Sequence, residues 1–169
     1  MEGTDVPSFY SSIFMITEKT IRALIDEKLE GSENYLVDLT VSASNQIRVE
    51  LDHLDGISID ECVAMSRHID SSFDREIDDF ELQVSSPGLD QPFKVFQQYV
   101  KNIGREVSIV KVEGQKLKGL LIDANQAEVT LEYETKEKVE GKKKKELIIH
   151  QDKIPMNEIK ETRIIISFK

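Results

Sequence analysis

Hydrophobic residues in the first half of the chain alternate between helical and strand-like spacing. Apolar residues recur three and four positions apart in 17–29 and again from Ile59 to Phe73, which predicts two amphipathic helices. Three other segments alternate with period two or are rich in β-branched residues, as strands are. The predicted strands are 35–41, 47–51 and 80–84. The order helix, strand, strand, helix, strand predicts a sheet with helices on one side.

Both predicted helices carry recognisable end signals. Thr17 is placed to cap the first helix and Gly31 to end it, and Ser58 with Glu61 forms a capping box at the start of the second. We expect the second helix to place one set of side chains on its apolar face, namely Ile59, Val63, Ile69 and Phe73.

The second half of the chain has a different pattern. A short helix is predicted around Phe93, Phe96 and Val100, and helical spacing then disappears. Five strands are predicted at 106–112, 115–122, 128–134, 146–150 and 162–168, with a single 3₁₀ turn at 155–159. Closely spaced short strands of this number predict a small closed β-barrel of the SH3 or Sm kind. The predicted fold is therefore α+β, with an α-β-β-α-β domain over 1–88 and a barrel domain over 89–169.

The two halves meet in the segment QVSSPGLDQPF, residues 83–93. Pro87 and Pro92 each fix a φ angle, and Gly88 permits a backbone conformation closed to other residues, so we expect a stiff elbow. It has two interpretations, a structural linker that sets the angle between domains or a direct contact surface. The candidate binding residues of the elbow are Ser85, Ser86, Pro87, Gly88, Leu89 and Asp90.

Charge changes sign at the elbow. The whole chain has a net charge of −10, but residues 1–92 carry 20 acidic and 6 basic residues, a net of −14, whereas residues 93–169 carry 12 and 16, a net of +4. Phosphate backbones repel the first half and tolerate the second, so the halves are predicted to face different partners. The acidic half suits a basic protein, or is a solvated surface that only maintains solubility.

Lysines in the second half are candidate contacts to RNA. Two lie on the second predicted strand of the barrel, and the others lie in a lysine-rich tip, 135–145, between the third and fourth strands. Lysines on a flexible tip can follow phosphates with little sequence preference. A solvated hairpin end is the alternative interpretation for each residue taken singly. The candidates are Lys116, Lys118, Lys142, Lys143, Lys144 and Lys145.

The sequence offers little for catalysis, cofactors or metals. Cys62 is the only cysteine, and its position on the apolar side of the second helix predicts a buried, inert thiol. None of His53, His68 and His150 has the spacing of a metal site, and the paired serines lack the G-x-S-x-G frame of a nucleophile. We therefore expect no enzyme activity, no cofactor and no metal.

The composition favours a cytoplasmic protein. Hydrophobic residues make up 39% of the chain and charged residues 32%, and no apolar run approaches the roughly 18 residues of a membrane span. The acidic, polar opening MEGTDVPSF is unlike a secretory signal.

Two stretches of the first half resemble the bacterial ribosome maturation factor family RimP. They are LDHLDGISIDECVAMSRHIDSSFD and FELQVSSPGLDQPF, which follow that family's D-G-I-x-[IV]-D-[DE]-C and E-V-S-S-P-G-[LI]-D-R-P segments. In the second half, residues 104–107, 119–121 and 154–159 resemble the Sm-like domain of the family. The resemblance covers nearly the whole chain from about Ile16. It departs from the family at Gln91, where an arginine is usual and could hold a carboxylate or phosphate, and in the lysine-rich tip.

The resemblance implies a cytoplasmic, non-catalytic factor that binds the free small ribosomal subunit and assists its maturation. Its expected partners are ribosomal RNA and a basic ribosomal protein, with no membrane, and the chain is expected to be a monomer. The first half has the topology of a KH-like RNA-binding module but lacks the G-x-x-G loop that grips RNA. A stand-alone Sm-like RNA-binding regulator is the alternative function.

Overall fold

The computed structural model describes residues 16–141 and 143–166. In this part of the chain the fold is α+β, with three helices and two sheets. The chain forms two compact units, the first ending at Pro87 and the second beginning at Gly88.

The first unit is a three-stranded sheet with two helices. Its elements are α1 (Glu18–Leu29), β1 (Tyr35–Val41), β2 (Gln46–Asp52), α2 (Ile59–Asp70) and β3 (Glu81–Ser85). The strand order is β1-β2-β3, with β1 antiparallel and β3 parallel to β2. The parallel pair requires a crossover, which α2 supplies. The predicted element order is confirmed.

Both helices of this unit begin where their caps predict. The Thr17 hydroxyl accepts a hydrogen bond from the Thr20 amide at 3.1 Å. The Glu61 amide donates to the Ser58 hydroxyl at 3.1 Å, and the Ser58 amide donates to the Glu61 carboxylate at 3.2 Å. Each cap satisfies amides that the first helical turn leaves unpaired. Helix α2 ends at Asp70, three residues before the predicted end at Phe73.

The predicted apolar face of α2 is partly wrong. Ile69 is fully buried as expected, but the side chains beside it in the core are Cys62 and Met65. Ile59 is 81% exposed and Val63 is 40% exposed. The reason is geometric, because the helix turns residues 62, 65 and 69 toward the sheet and leaves residues 59 and 63 on the adjacent flank, beside the edge strand β3.

The core of the first unit draws on every layer. Buried side chains come from α1, all three strands or their flanks, and α2. They are Ile21, Ile25, Leu39, Ile47, Val49, Leu51, Met65, Ile69 and Phe80.

The second unit is a five-stranded antiparallel sheet preceded by a short helix. Its elements are α3 (Phe96–Lys101), β4 (Glu106–Lys111), β5 (Lys116–Ala124), β6 (Glu128–Lys138), β7 (Lys145–Pro155), a 3₁₀ helix (Met156–Glu158) and β8 (Ile159–Ile164). The strand order is β7-β6-β5-β4-β8. The predicted helix and 3₁₀ turn are both present.

The closed barrel predicted from the sequence is not found among the residues that the structure describes. Strands β7 and β8 are the two edges of an open sheet, and no ladder joins them there. Short strands with regular turns indicate many neighbours in a sheet, but closure depends on curvature and stagger that the spacing of turns does not specify.

The last three strands differ most from their predicted boundaries. Strands β6 and β7 are each 11 residues long, so 135–138 and 151–155 extend the predicted strands. Strand β8 is Ile159–Ile164 instead of 162–168, and the last two of those predicted residues lie outside the described part of the chain.

A second, separate core lies within this sheet. Its buried side chains are Tyr99, Val107, Ile109, Leu121, Val129, Leu131 and Ile154. Tyr99, on α3, joins the helix to the sheet because its hydroxyl lies 2.7 Å from the hydroxyl of the fully buried Thr162 on β8. The ring of Phe93 packs edge-on against the ring of Tyr99, with centroids 5.0 Å apart.

Candidate functional site

The first two candidate binding residues of the elbow, Ser85 and Ser86, line a groove of the first unit. Ser85 ends β3 and Ser86 follows it, and both lie at a cavity of about 460 Å³ formed by β3 and α2. Its apolar lining includes Leu82 and Val84 from the strand and the exposed Ile59 and Val63 from the helix. The elbow sequence therefore continues directly from a surface groove.

The later elbow residues are fastened to β8 in the second unit. The Asp90 carbonyl accepts a hydrogen bond from the Arg163 guanidinium at 2.6 Å, and the Phe93 amide donates to the Thr162 carbonyl at 2.8 Å. The Gln91 amide donates to the Gly88 carbonyl at 3.2 Å, which closes a tight turn. Leu89 is 62% exposed on this turn.

Gly88 does not need the backbone freedom that the sequence suggested. Its φ is not among the positive values, which occur at other glycines such as Gly31 and Gly56. A Cβ added at Gly88 would lie 2.9 Å from one Asp90 carboxylate oxygen, which is the end of a movable side chain. The special-conformation role predicted for Gly88 is therefore wrong.

Lys116 and Lys118 lie on β5, the strand predicted to contain them, and both are exposed. Lys118 lies opposite Ser108 of β4, and Ser108 in turn lies opposite Arg163 of β8. Directly opposite residues of an antiparallel pair point to the same face, so the side chains of Lys118, Ser108 and Arg163 form a row across three strands. Arg163 also donates to the Glu161 carboxylate at 2.6 Å.

The lysine-rich tip is more regular than predicted. Its first four residues belong to β6 and Lys145 begins β7, so these five of its eleven residues form the end of a two-stranded ribbon, and 139–144 connect the two strands. Strand β5 pairs with β6 only as far as Glu132, and beyond it β6 and β7 continue as a pair to Lys138 and Lys145. Lys143 and Lys144 are exposed in the turn, and Lys142 lies outside the described residues. The candidate lysines that the structure describes thus lie on two elements, the face of β5 and the end of the ribbon.

Cys62 has the environment of an inert thiol. Its side chain is buried, and burial raises the thiol pKa, with the charges of Glu61 and Asp52 acting in the same direction. A thiol with a raised pKa forms little of the reactive thiolate at neutral pH.

The three histidines make separate contacts. The ring nitrogen Nε2 of His53 lies 3.4 Å from a Glu33 carboxylate oxygen. Nε2 of His68 lies 3.0 Å from the Leu24 carbonyl oxygen. Nε2 of His150 lies 2.7 Å from the Thr135 hydroxyl oxygen. Within 16–141 and 143–166, no group of three or more His, Cys, Asp and Glu residues could hold a metal ion.

Two polar arrangements were missed by the sequence reasoning. Tyr35 and Asp52 are register partners at the start of β1 and the end of β2, both are buried, and burial together with the Asp52 charge raises the pKa of Tyr35 to about 12. On the ribbon, the rings of Tyr133 and His150 stack with their centroids 5.1 Å apart. The Tyr133 hydroxyl donates to the Asp152 carboxylate at 2.6 Å, which raises the tyrosine pKa. Tyr133 and His150 are 17 positions apart, so only the hairpin register could have revealed their contact.

None of the helices in the described part of the chain is both long and apolar enough to cross a membrane.

Several known proteins are similar to this chain over nearly its whole length. The sequence model of the RimP N-terminal domain matches residues 24–90. The ribosome maturation factor RimP of Porphyromonas gingivalis is 40% identical over 152 residues, which cover 90% of this chain and 100% of the relative. Those of Flavobacterium psychrophilum and Christiangramia forsetii are 36% and 32% identical, each over 91% of this chain and 100% of the relative. The similarity therefore extends over both compact units.

Proposed function

This chain belongs to the RimP family of ribosome maturation factors, and from that premise we propose that it is an assembly factor of the small (30S) ribosomal subunit. The family is one of non-enzymatic maturation factors, in agreement with the prediction that the chain is not an enzyme. In this proposal the chain is a cytoplasmic monomer that binds the free subunit, with its acidic unit against a basic ribosomal protein and its second unit on ribosomal RNA.

The observation that carries the proposal is the extent of the match. It covers 100% of each of the three relatives and about nine tenths of this chain, so the relatives share both units. A stand-alone Sm-like RNA-binding regulator needs only the second unit, and this alternative receives less support for that reason.

Strand order supports a finer assignment of each unit. The first unit has the order α-β-β-α-β with a parallel β2-β3 pair, and we assign it a KH-like topology. In the second unit, a helix precedes five strands in which the last pairs with the first, and we assign it to the Sm-like domains in spite of its open sheet.

Charge supports the assignment of partners. The net of −14 over 1–92 disfavours contact with phosphates, whereas the exposed Lys116 and Lys118 of β5 and the lysines of the ribbon offer cations to an RNA backbone. A factor of this kind assists assembly only if it binds a precursor conformation more tightly than the competing ones.

The decisive experiment is affinity purification of the tagged full chain from growing cells of its source. We expect it to carry precursors of the small subunit and to be depleted from mature ribosomes. The double variant Lys116→Glu/Lys118→Glu should lose precursor, whereas Lys19→Glu/Lys28→Glu, which makes the same charge change on α1, should retain it. Recovery of mature ribosomes alone, or of no ribosomal particle, contradicts the proposal.

A further inference from the structure

The groove beside β3 has the form of a site for an extended peptide. Strand β3 is an edge of the described sheet, because it pairs with β2 and has no strand on its other side. An edge strand presents backbone N–H and C=O groups that a further strand can use. The groove of about 460 Å³ lies along this strand, with α2 as its opposite wall.

The walls of this groove suit apolar side chains. Leu82 and Val84 line the strand side, and Ile59 and Val63 line the helix side. Ile59 and Val63 are 81% and 40% exposed, so their apolar surface is available to a partner. Every second side chain of an added strand points to the same face of the sheet, where it would meet these residues.

Polar residues mark the end of the same groove. Ser66 lies on the helix wall, and Ser85 and Ser86 lie where the strand ends. These hydroxyls can hydrogen-bond to a peptide backbone or to polar side chains. Ser85 and Ser86 of the elbow are therefore placed to contact a peptide in the groove.

Charge selects the kind of peptide. Residues 59–85, which form α2, β3 and their connection, contain 8 Asp and Glu and 2 Arg, a net of −6. Asp60, Glu61 and Glu81 are exposed on the two elements that form the groove. One of the two arginines, Arg75, is held by the Asp70 carboxylate at 2.8 Å and lies over the Phe80 ring. A basic segment is attracted to the acidic surface of these two elements, and a phosphate backbone is repelled.

We propose that the groove between β3 and α2 binds an extended, basic protein segment by strand addition to β3, with alternate apolar side chains against Val63 and Val84. This inference rests on the proposed function only in taking a basic ribosomal protein as the source of that segment. The groove itself, its free edge and the acidic charge of the two elements that form it are independent of the source.

A fluorescent nine-residue peptide of alternating valine and lysine tests the site on the full chain. We expect saturable binding, with a dissociation constant on the order of 100 µM or tighter, measured by fluorescence anisotropy. Val63→Lys should weaken binding of the peptide by about tenfold or more, because the new charge lies in the groove.

Ile77→Lys is the matched control, because Ile77 is 73% exposed in the same unit and does not line the groove. It makes the same change in net charge and should leave affinity within about twofold. No saturable binding, or equal losses in the two variants, would overturn the proposal.

Peptide chemistry tests the mode of binding. In an extended strand the N–H groups of the valines point to one edge and those of the lysines to the other. N-methylation of all valines or of all lysines therefore blocks opposite edges. We expect one of these two peptides to lose binding and the other to retain it, and equal affinities would exclude strand addition. Displacement of the probe by a uridine decamer, with the same sensitivity to Val63→Lys, would assign the groove to nucleic acid and also overturn the proposal.

Affinity purification separates this inference from the proposed function. If wild type carries subunit precursors but fails to bind the peptide, the groove proposal fails and the proposed function stands. If the peptide binds in the groove but no precursor is recovered, the proposed function fails and the groove stands.

Discussion

The phenol side chain of Tyr35 is buried in the first unit. The residue is 9% exposed, and its hydroxyl has no hydrogen-bond partner among the described residues. A buried hydroxyl without a partner has lost its hydration and gained nothing in exchange, which destabilises the fold. The nearby Asp52 charge further disfavours ionisation of the phenol.

Replacing Tyr35 by phenylalanine should therefore increase the free energy of unfolding, by up to about 1 kcal/mol at neutral pH. Tyr99→Phe is the matched control, because the Tyr99 hydroxyl has a buried partner in Thr162, and its removal should lower the same quantity by about 1 kcal/mol. Urea denaturation of the full chain measures both. A loss of stability in Tyr35→Phe comparable to that in Tyr99→Phe would contradict the expectation.

The Tyr35 phenol also predicts a pH dependence. Its pKa is about 12 in the folded protein against an ordinary 10.0, so the folded state retains the proton that the unfolded state releases. This difference leaves the free energy of unfolding unchanged below pH 10 and lowers it as the pH rises from 10 toward 12. Between those values, wild type should lose more stability than Tyr35→Phe, and parallel losses would show that Tyr35 does not titrate as described.

Gly119 is required for a close approach of two strands. A Cβ at this position of β5 would lie 2.4 Å from the Glu132 carbonyl oxygen of β6, and that oxygen belongs to the backbone. The strands must therefore separate if the residue is larger.

Gly119→Ala should destabilise the second unit by about 1–3 kcal/mol, which is typical of overpacking between fixed backbones. Gly88→Ala is a suitable control, because the atom it would meet belongs to the movable Asp90 side chain. Thermal unfolding followed by circular dichroism gives the comparison, and equal melting temperatures for the two variants would disprove the packing argument.

Residue-level prediction from the sequence worked where the cause was local. Ser58 and Glu61 are three positions apart and satisfy each other, so their pattern alone located the start of α2. Tyr35 and Asp52 are brought together by strand register, and Gly119 is constrained by a neighbouring strand. These long-range effects leave no mark in the local pattern.

At the scale of elements, the outer half of the β6-β7 ribbon contains unfavourable charge pairs. Glu137 lies opposite Glu146, and Lys138 lies opposite Lys145. Like charges directly opposite each other destabilise a pair of strands. Anions near the lysines would relieve part of this repulsion, so the ribbon end is suited to become more ordered when it binds phosphates.

Lys138→Glu converts the outermost pair to one of opposite charge. We expect slower amide hydrogen exchange along Tyr133–Lys138, by about two- to fivefold, because the pair gains about 0.2–1 kcal/mol. The same variant should bind ribosomal RNA more weakly under the proposed function. Lys138→Gln removes repulsion without adding attraction and should give an intermediate exchange rate. Faster exchange in Lys138→Glu than in wild type would contradict this account.

The extent of this ribbon explains why elements were predicted unevenly. From Thr135 to Lys145 the residues are mostly Lys and Glu, so no alternation of apolar and polar positions marks the strands, and the sequence predicts a tip in their place. Backbone pairing continues there because the hairpin register set by Val129 and Ile154 in the core extends outward. Periodicity records burial, and the outer part of this ribbon has no buried face.

At the scale of the whole molecule, the two cores share no residues. The first lies between the helices and the three-stranded sheet, and the second lies within the five-stranded sheet. Units of this size, 87 and 82 residues, can bury enough apolar surface to fold alone.

Fragments 1–87 and 88–169 should therefore each unfold cooperatively when produced separately. Two-dimensional NMR spectra of the fragments should overlay on those of the full chain except near the cut, because neither core depends on the other. Chemical denaturation with a separate midpoint for each fragment is the confirming measurement. An unfolded fragment would show that the two units are a single cooperative structure.

The lone cysteine gives the chain a built-in chemical reporter. Cys62 lines the groove beside β3, and no second sulfhydryl competes for a thiol-directed reagent. Alkylation of the native protein should be slow, since the sulfur is shielded and its proton is firmly held. A peptide bound in the groove would slow the alkylation further. The labelling half-time therefore measures binding at the α2 side of the groove without any engineered tag.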